Sequence, residues 1–309
     1  MLGGAGTTLM QAPSPLRQRL RAYAGLMRVD RPIGTLLLLW PTYWGLWLAA
    51  KGTPSLRLFL IFTVGTWLTR SAGCVINDYF DRDFDRQVAR TCQRPLAAGL
   101  ITPQEALRLF VVLCLLAAAL LPLLNWLTIG LSAGAVLITI TYPLFKRFTH
   151  LPQAYLGIAF SFGIPMAFAA TLNQVPTLAW WLMLANACWV VAYDTAYAMA
   201  DRPDDIQAGI KSTAILFGRF DRHTIAGLQA IMLILFIGIG VAQAMHWPYW
   251  IALAGAAVLA AYEQTLLGGD RDQAFRAFLH NNWIGLLLFW GIVAGLAPGG
   301  VSTVLPGAA

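Results

Sequence analysis

Only fourteen of the 309 residues are acidic, and eight of those fourteen fall in two short windows. The first window is Asn77-Asp78-Tyr79-Phe80-Asp81-Arg82-Asp83-Phe84-Asp85; the second holds Asp194, Asp201, Asp204 and Asp205. Asn77, Asp81 and Asp85 stand at i, i+4 and i+8, so a helix would carry them on one stripe. Asp194, Asp201 and Asp205, at i, i+7 and i+11, do the same in the second window. Pro203 is expected to end or kink that helix and leave Asp205 on a following loop. Like charges at these spacings repel unless a cation sits between them. Magnesium takes hard oxygen ligands and characteristically shares one or two carboxylates with substrate phosphates. Arg90, Arg94 and Lys211 follow the acids in the same loops, and cations interleaved with carboxylates in this way suit a metal-bridged diphosphate. Acids at the C-terminal end of a helix oppose its dipole, which a purely structural role would not favour.

The elements that must position these residues are membrane helices. The chain is 58% hydrophobic and 11% charged, against ~25% charged and ~45–50% apolar in globular domains. A mean hydropathy of +0.64 agrees, which excludes a soluble enzyme, a disordered chain and a disulfide-stapled secreted domain. Cys74, Cys92, Cys114 and Cys188 form no CxxC pair, and the four histidines offer no HxxH metal motif. Runs without Asp, Glu, Lys or Arg, cut where Pro and Asn supply turns, predict an all-α polytopic fold of nine transmembrane helices, at about 32–50, 57–79, 104–121, 125–143, 152–171, 178–200, 223–243, 248–265 and 279–297. Asp81 and Asp201 are 120 residues apart, as are Asp85 and Asp205. Each pair closes the second helix of a four-helix unit, so the expected architecture is two four-helix repeats plus one helix around a central cavity.

Eighteen of the 21 lysines and arginines fall on one side of that stack, only Lys51 and Arg57 fall opposite, and Arg70 lies within a span. The positive-inside rule then makes the N-terminus cytoplasmic and puts the acidic windows at the cytoplasmic face. It also accounts for the net charge of +7 without nucleic acid. The expected organisation is a cytoplasmic segment at 1–31 lying against the lipid bilayer, a membrane domain at 32–297 and a short external tail at 298–309.

Asn77-Asp78-x-x-Asp81-x-x-x-Asp85, followed by Arg90-Thr91-x-x-Arg94-Pro95-Leu96, resembles the first signature of the UbiA superfamily of intramembrane aromatic prenyltransferases. Tyr193-Asp194-Thr195-x-Tyr197-Ala198-Met199-x-Asp201-Arg202-x-Asp204-Asp205, continuing to Lys211-Ser212-Thr213-Ala214, resembles the second. Leu26-Met27-Arg28-Val29-Asp30-Arg31-Pro32-Ile33-Gly34-Thr35 and Tyr142-Pro143-x-x-Lys146-Arg147-x-Thr149-x-Leu151-Pro152-Gln153 are similar to the branch acting on 4-hydroxybenzoate. The resemblance covers roughly residues 20 to 295. It implies a bacterial inner-membrane enzyme that uses Mg2+ to move a polyprenyl group, octaprenyl being the expected one, from its diphosphate to 4-hydroxybenzoate in ubiquinone biosynthesis. Haem farnesylation, menaquinone prenylation and a cation-coupled transporter are the competing functions.

Under that resemblance Asp81, Asp85, Asp201 and Asp205 hold the metal. Asn77, Asp78, Arg90, Arg94 and Lys211 bind the diphosphate, and Asp194 is the candidate base. Phe80, Phe84, Tyr193 and Tyr197 are candidates to stabilise an allylic cation through their ring faces. Arg70 shares the stripe of Asn77, Asp81 and Asp85 and lies ~10 Å deeper than Asn77. A buried cation at that depth marks function, which makes Arg70 a candidate for the acceptor carboxylate. Tyr142, Lys146 and Arg147 form the competing acceptor site.

Overall fold

The structure is a computed structural model that describes residues 15–86 and 91–296, apart from the side chains of Pro15, Tyr142, Pro143, Leu144, Lys146, Arg147 and Ala208. Arg90 and the 298–309 tail lie outside the described residues. The described residues form α1 (Pro15–Leu26), α2 (Ile33–Ala50), α3 (Leu56–Asp85), α4 (Pro103–Ala118), α5 (Trp126–Phe148), α6 (Pro152–Ser161), α7 (Gly163–Leu172), α8 (Thr177–Ala208), α9 (Thr213–Phe217), α10 (Asp221–Ala242), α11 (Trp247–Leu266) and α12 (Arg271–Gly295). Six segments among them are long and apolar enough to cross a membrane: Ile33–Ala50, Leu56–Asp85, Pro103–Leu123, Pro152–Leu172, Thr213–Ala242 and Arg271–Gly295. The chain is an all-helical polytopic membrane protein. Large apolar side chains such as Val111, Leu115, Ile234 and Val258 point outward, as a lipid-facing surface allows.

Local chemistry starts and stops these helices. Ser55 and Asn125 accept backbone N–H bonds as N-caps of α3 and α5, and Thr102 with Glu105 forms a reciprocal capping box on α4 behind Pro103. Lys51 and Asn173 close α2 and α7 in the left-handed region. The helix expected over 152–171 is two helices, interrupted at Phe162. Pro165 lacks the N–H that the Ser161 carbonyl would accept, and neighbouring helices fit the break. A Cβ on Gly163 would lie 2.4 Å from Thr42 Oγ1 on α2, and Asn186 of α8 donates to Ser161 Oγ at 2.8 Å and to the Phe160 carbonyl at 3.4 Å. One neighbour needs the backbone close, and the other takes up the polar groups of the interrupted turn.

Pro203 does not end α8, contrary to expectation; the helix runs through it to a left-handed Gly209. Proline removes one backbone donor and weakens the turn before it. Arg271 of α12 borders that turn, donating to the Ala200 carbonyl at 2.6 Å and to Asp204 at 2.5 Å. Asp205 therefore stays on the helix with Asp201.

The main core is shared by α2, α7, α8, α10, α11 and α12, with Trp44, Trp189, Phe236 and Tyr249 fully buried. Two smaller clusters sit beneath the acidic windows. Ala22, Leu26, Leu68, Val75 and Leu96 fasten α1 and the segment after α3 onto α3. Ala192, Ala196, Ile225, Ala274 and Ala277 join α8 to α10 and α12. Packing of this kind, rather than water exclusion, holds helices together in lipid.

Candidate active site at the acidic helix ends

The last turns of α3 carry the first window. Asn77 Nδ2 donates to Asp81 Oδ2 at 3.1 Å, so the predicted stripe is real at its first step. Asp78 sits off that stripe and is buried, its side chain 2% exposed. Arg28 grips both Asp78 oxygens at 2.8 Å from the turn after α1, where it adopts φ 57° and also donates to the Gly25 carbonyl. Arg94 approaches from the other side and bridges Asp78 Oδ1 at 3.1 Å and Asp85 Oδ2 at 2.8 Å. Burial works against the Arg94 cation, but the charges of Asp78 and Asp85 outweigh it and raise its pKa above the ordinary value. The result is a chain of alternating charges, Arg28–Asp78–Arg94–Asp85. Thr91 Oγ1 fastens the same loop by donating to the Asp85 carbonyl at 3.1 Å.

The second window on α8 is engaged differently. Asp204 pairs with Arg271, and Arg202 pairs with Asp221 at the start of α10. Asp194, Asp201 and Asp205 all make polar or electrostatic contacts and are half-buried. Lys211, which follows them, donates to the Phe148 carbonyl at 3.4 Å. The next residues pin this loop down: Thr213 shares a 2.8 Å hydroxyl contact with Thr195 on α8, and its N–H donates to buried Gln153 at 3.0 Å. Of the four aromatic candidates, Tyr193 packs edge-on against Trp189 and Phe278, Tyr197 meets Phe275 and Phe278, and Phe80 meets Tyr79. Phe84 is exposed.

Arg70 lies inside the bundle. Its guanidinium occupies the space in which a Cβ on Gly34 would come within 2.4 Å of Nη2, and it sits 5.8 Å from the centroid of the Phe160 ring. Arg70 Nε is buried and has no hydrogen-bond partner among the described residues. A buried guanidinium donor left unsatisfied is costly, and an incoming carboxylate would supply the missing acceptor. The competing group falls on α5, but the side chains of Tyr142, Lys146 and Arg147 lie outside the described residues.

Among the described residues no three Asp, Glu, His or Cys side chains converge as a ready-made metal cage. The donor set still suits magnesium. Asp81 and Asp85 stand one turn apart on α3, and Asp201 and Asp205 one turn apart on α8. Magnesium keeps waters and takes substrate oxygens to complete its shell. Reading the chain as a sequence missed Arg28, which figured there only as a positive-inside residue. Its partner lies 50 residues away, and only its place in the Leu26–Thr35 stretch hints at a role.

The sequence profile of the UbiA prenyltransferase family matches residues 38–301. The chain is 56% identical over 283 residues to a 4-hydroxybenzoate octaprenyltransferase of Cupriavidus pinatubonensis, covering 91% of this chain and 99% of the relative. It is 56% identical over 281 residues to a protein of that name from Xanthomonas euvesicatoria pv. vesicatoria, covering 91% and 93%. The apo structure of a UbiA homolog from Aeropyrum pernix K1 superposes with a TM-score of 0.75 at 26% identity, over 85% of this chain and 98% of that one. A UbiA homolog from Archaeoglobus fulgidus bound to GPP and Mg2+ shares the fold at TM-score 0.66 and 19% identity, over 88% and 99%. Profile, identity and fold agree: the chain belongs to the UbiA prenyltransferase family.

Proposed function

We propose that this protein transfers an octaprenyl group from its diphosphate to the carbon of 4-hydroxybenzoate ortho to the hydroxyl, a step of ubiquinone biosynthesis. The observation that carries the reading is 56% identity, over nine-tenths of the chain, to proteins named for that reaction. The site residues support it. Asp81, Asp85, Asp201 and Asp205 are the residues to hold magnesium, which when bound would neutralise the diphosphate and ease its departure. Asn77, Arg90, Arg94 and Lys211 bind the diphosphate and take up the charge that grows on it as the allylic C–O bond breaks. The apolar bundle keeps water from the allylic cation. Arg70 takes the acceptor carboxylate through its planar fork, and so presents the ortho carbon. A carbon–carbon bond forms there, and Asp194 accepts the ring proton that leaves.

In this reading the nine crossings are α2, α3, α4, α5, α6 with α7, α8, α10, α11 and α12, grouped as two repeats of four plus the last. Residues 1–31 are cytoplasmic, 32–297 form the membrane domain in the bacterial inner membrane, and 298–309 lie outside. Both acidic ends then face the cytoplasm. The test is purified protein with magnesium, a labelled octaprenyl diphosphate and a panel of aromatic acceptors. Selective labelling of 4-hydroxybenzoate, lost with EDTA and restored by magnesium, supports the reading. Labelling of another acceptor redirects it within the family, and no transfer with magnesium present overturns it.

A further inference from the structure

Arg94 stands where a metal would have to act. It donates to Asp85 Oδ2 at 2.8 Å, and Asp85 is only 9% exposed at its side chain, which leaves little room around that oxygen. A magnesium ligand oxygen lies ~2.0–2.1 Å from its ion. A guanidinium on one oxygen of that carboxylate sets a second cation beside any metal that Asp85 would hold, so the two contacts oppose each other. Arg94 has a second anchor in Asp78, which is immobilised by the two bonds from Arg28. The backbone beside it is fixed by Thr91 on the Asp85 carbonyl and by buried Leu96. The guanidinium can therefore leave Asp85 without the loop moving, turning on Asp78.

Resting on the diphosphate site proposed above, we propose that Arg94 is an exchangeable counter-ion. It occupies Asp85 until a metal arrives together with a diphosphate, and then releases Asp85 to the metal and turns to the diphosphate oxygens. A metal ion alone must displace Arg94 and leaves that cation with one partner fewer. A metal with a diphosphate returns a partner to it. Metal and diphosphate should then bind cooperatively, each weakly without the other.

The experiment measures Mn2+, a paramagnetic stand-in for magnesium, binding to the purified full-length protein by electron paramagnetic resonance, with and without inorganic pyrophosphate. Wild-type protein should bind Mn2+ weakly alone and more tightly with pyrophosphate. Arg94→Gln should bind Mn2+ alone about tenfold more tightly than wild type, the scale of one charge-assisted hydrogen bond, and should lose most of the gain from pyrophosphate. Adding Asp85→Asn should erase the tightening. Arg94→Lys, which keeps the charge on a shorter side chain without the planar fork, should fall between and serves where the glutamine variant does not fold. An Arg94→Gln protein, or in its place an Arg94→Lys protein, that binds Mn2+ alone no more tightly than wild type overturns the exchange. Wild-type protein that takes up no Mn2+ even with pyrophosphate overturns the diphosphate reading itself.

Discussion

The two acidic helix ends match in spacing but not in how their charge is balanced. At the end of α3 the acids are gripped by arginines that belong to the same face of the site, one from the turn after α1 and one from the following loop. At the end of α8 the described ion pairs use the acid and the arginine beside the stripe, Asp204 and Arg202, and tie them to α12 and α10. The α8 pairs brace the bundle around the stripe. The α3 pairs reach into the stripe itself, since Asp85 is one of its members. The two ends thus differ in their described ion pairs: those at α8 tie it to α10 and α12, and under the proposed exchange the arginine at α3 would compete with a metal for Asp85.

The largest effect expected is loss of transfer. Asp81→Ala, Asp85→Ala and Asp201→Ala should each abolish product formation in membranes that contain near-normal amounts of protein, and full activity in EDTA-treated wild type would break the comparison outright. Both ends must also share a membrane face. Single cysteines at Thr91 and Gln207, introduced after removal of the four native cysteines, should be labelled from the cytoplasm, and those at Gln174 and Ser302 from outside. Labelling of Gln207 and Gln174 from one side would remove the nine-crossing arrangement.

Stability separates the ends next. Arg28→Ala leaves buried Asp78 with Arg94 as its remaining described partner and should cost about 1.5–3 kcal/mol, read as a fall in the thermal midpoint of the detergent-solubilised protein. Equal stability of this variant and wild type would show the grip to be dispensable. Arg70→Lys keeps charge but loses the fork, so the acceptor KM should rise roughly tenfold with little change in the KM for prenyl diphosphate. A change confined to the diphosphate would move Arg70 to the leaving-group site and favour Arg147. Smallest of all, Arg271→Ala removes a pair whose arginine is 48% exposed, and about 1 kcal/mol or less should be lost. A larger loss would mean that the carbonyl of Ala200 depends on Arg271 to keep α8 continuous past Pro203.

Much of this arrangement was legible before the fold was known. Apolar runs pointed to the six segments long enough to cross a membrane because lipid excludes unpaired charge, and helical spacing alone put Asn77 and Asp81 in contact. The unreadable parts depend on distant neighbours. The break at Phe162 was signalled by Pro165, which removes the donor to the Ser161 carbonyl, but its fit to Thr42 and Asn186 on other helices was not. Pro203, expected to end or kink α8, does not end it; the arginine that braces the adjacent Ala200 carbonyl lies 68 positions along the chain, at Arg271. The ends of α3 and α8 were drawn too short, at 79 and 200, since a search for apolar residues stops where the charged turns begin, whereas the helices continue to Asp85 and Ala208.

Those extra turns have a consequence for kinetics. The 30 residues of α3 and the 32 of α8 span ~45 Å and ~48 Å at 1.5 Å per residue, against a hydrocarbon core of ~30 Å. With that surplus on the proposed cytoplasmic side, the acidic ends would stand among the lipid headgroups, at the depth where an amphiphile with a polyisoprenoid tail already carries its phosphates. Such a substrate reaches the enzyme by two-dimensional diffusion and never leaves the leaflet. Turnover should accordingly track its mole fraction in the bilayer: diluting the vesicles with plain phospholipid at constant bulk concentration should slow the reaction, while diluting the whole suspension with buffer should leave the rate per enzyme unchanged when the water-soluble acceptor is held constant.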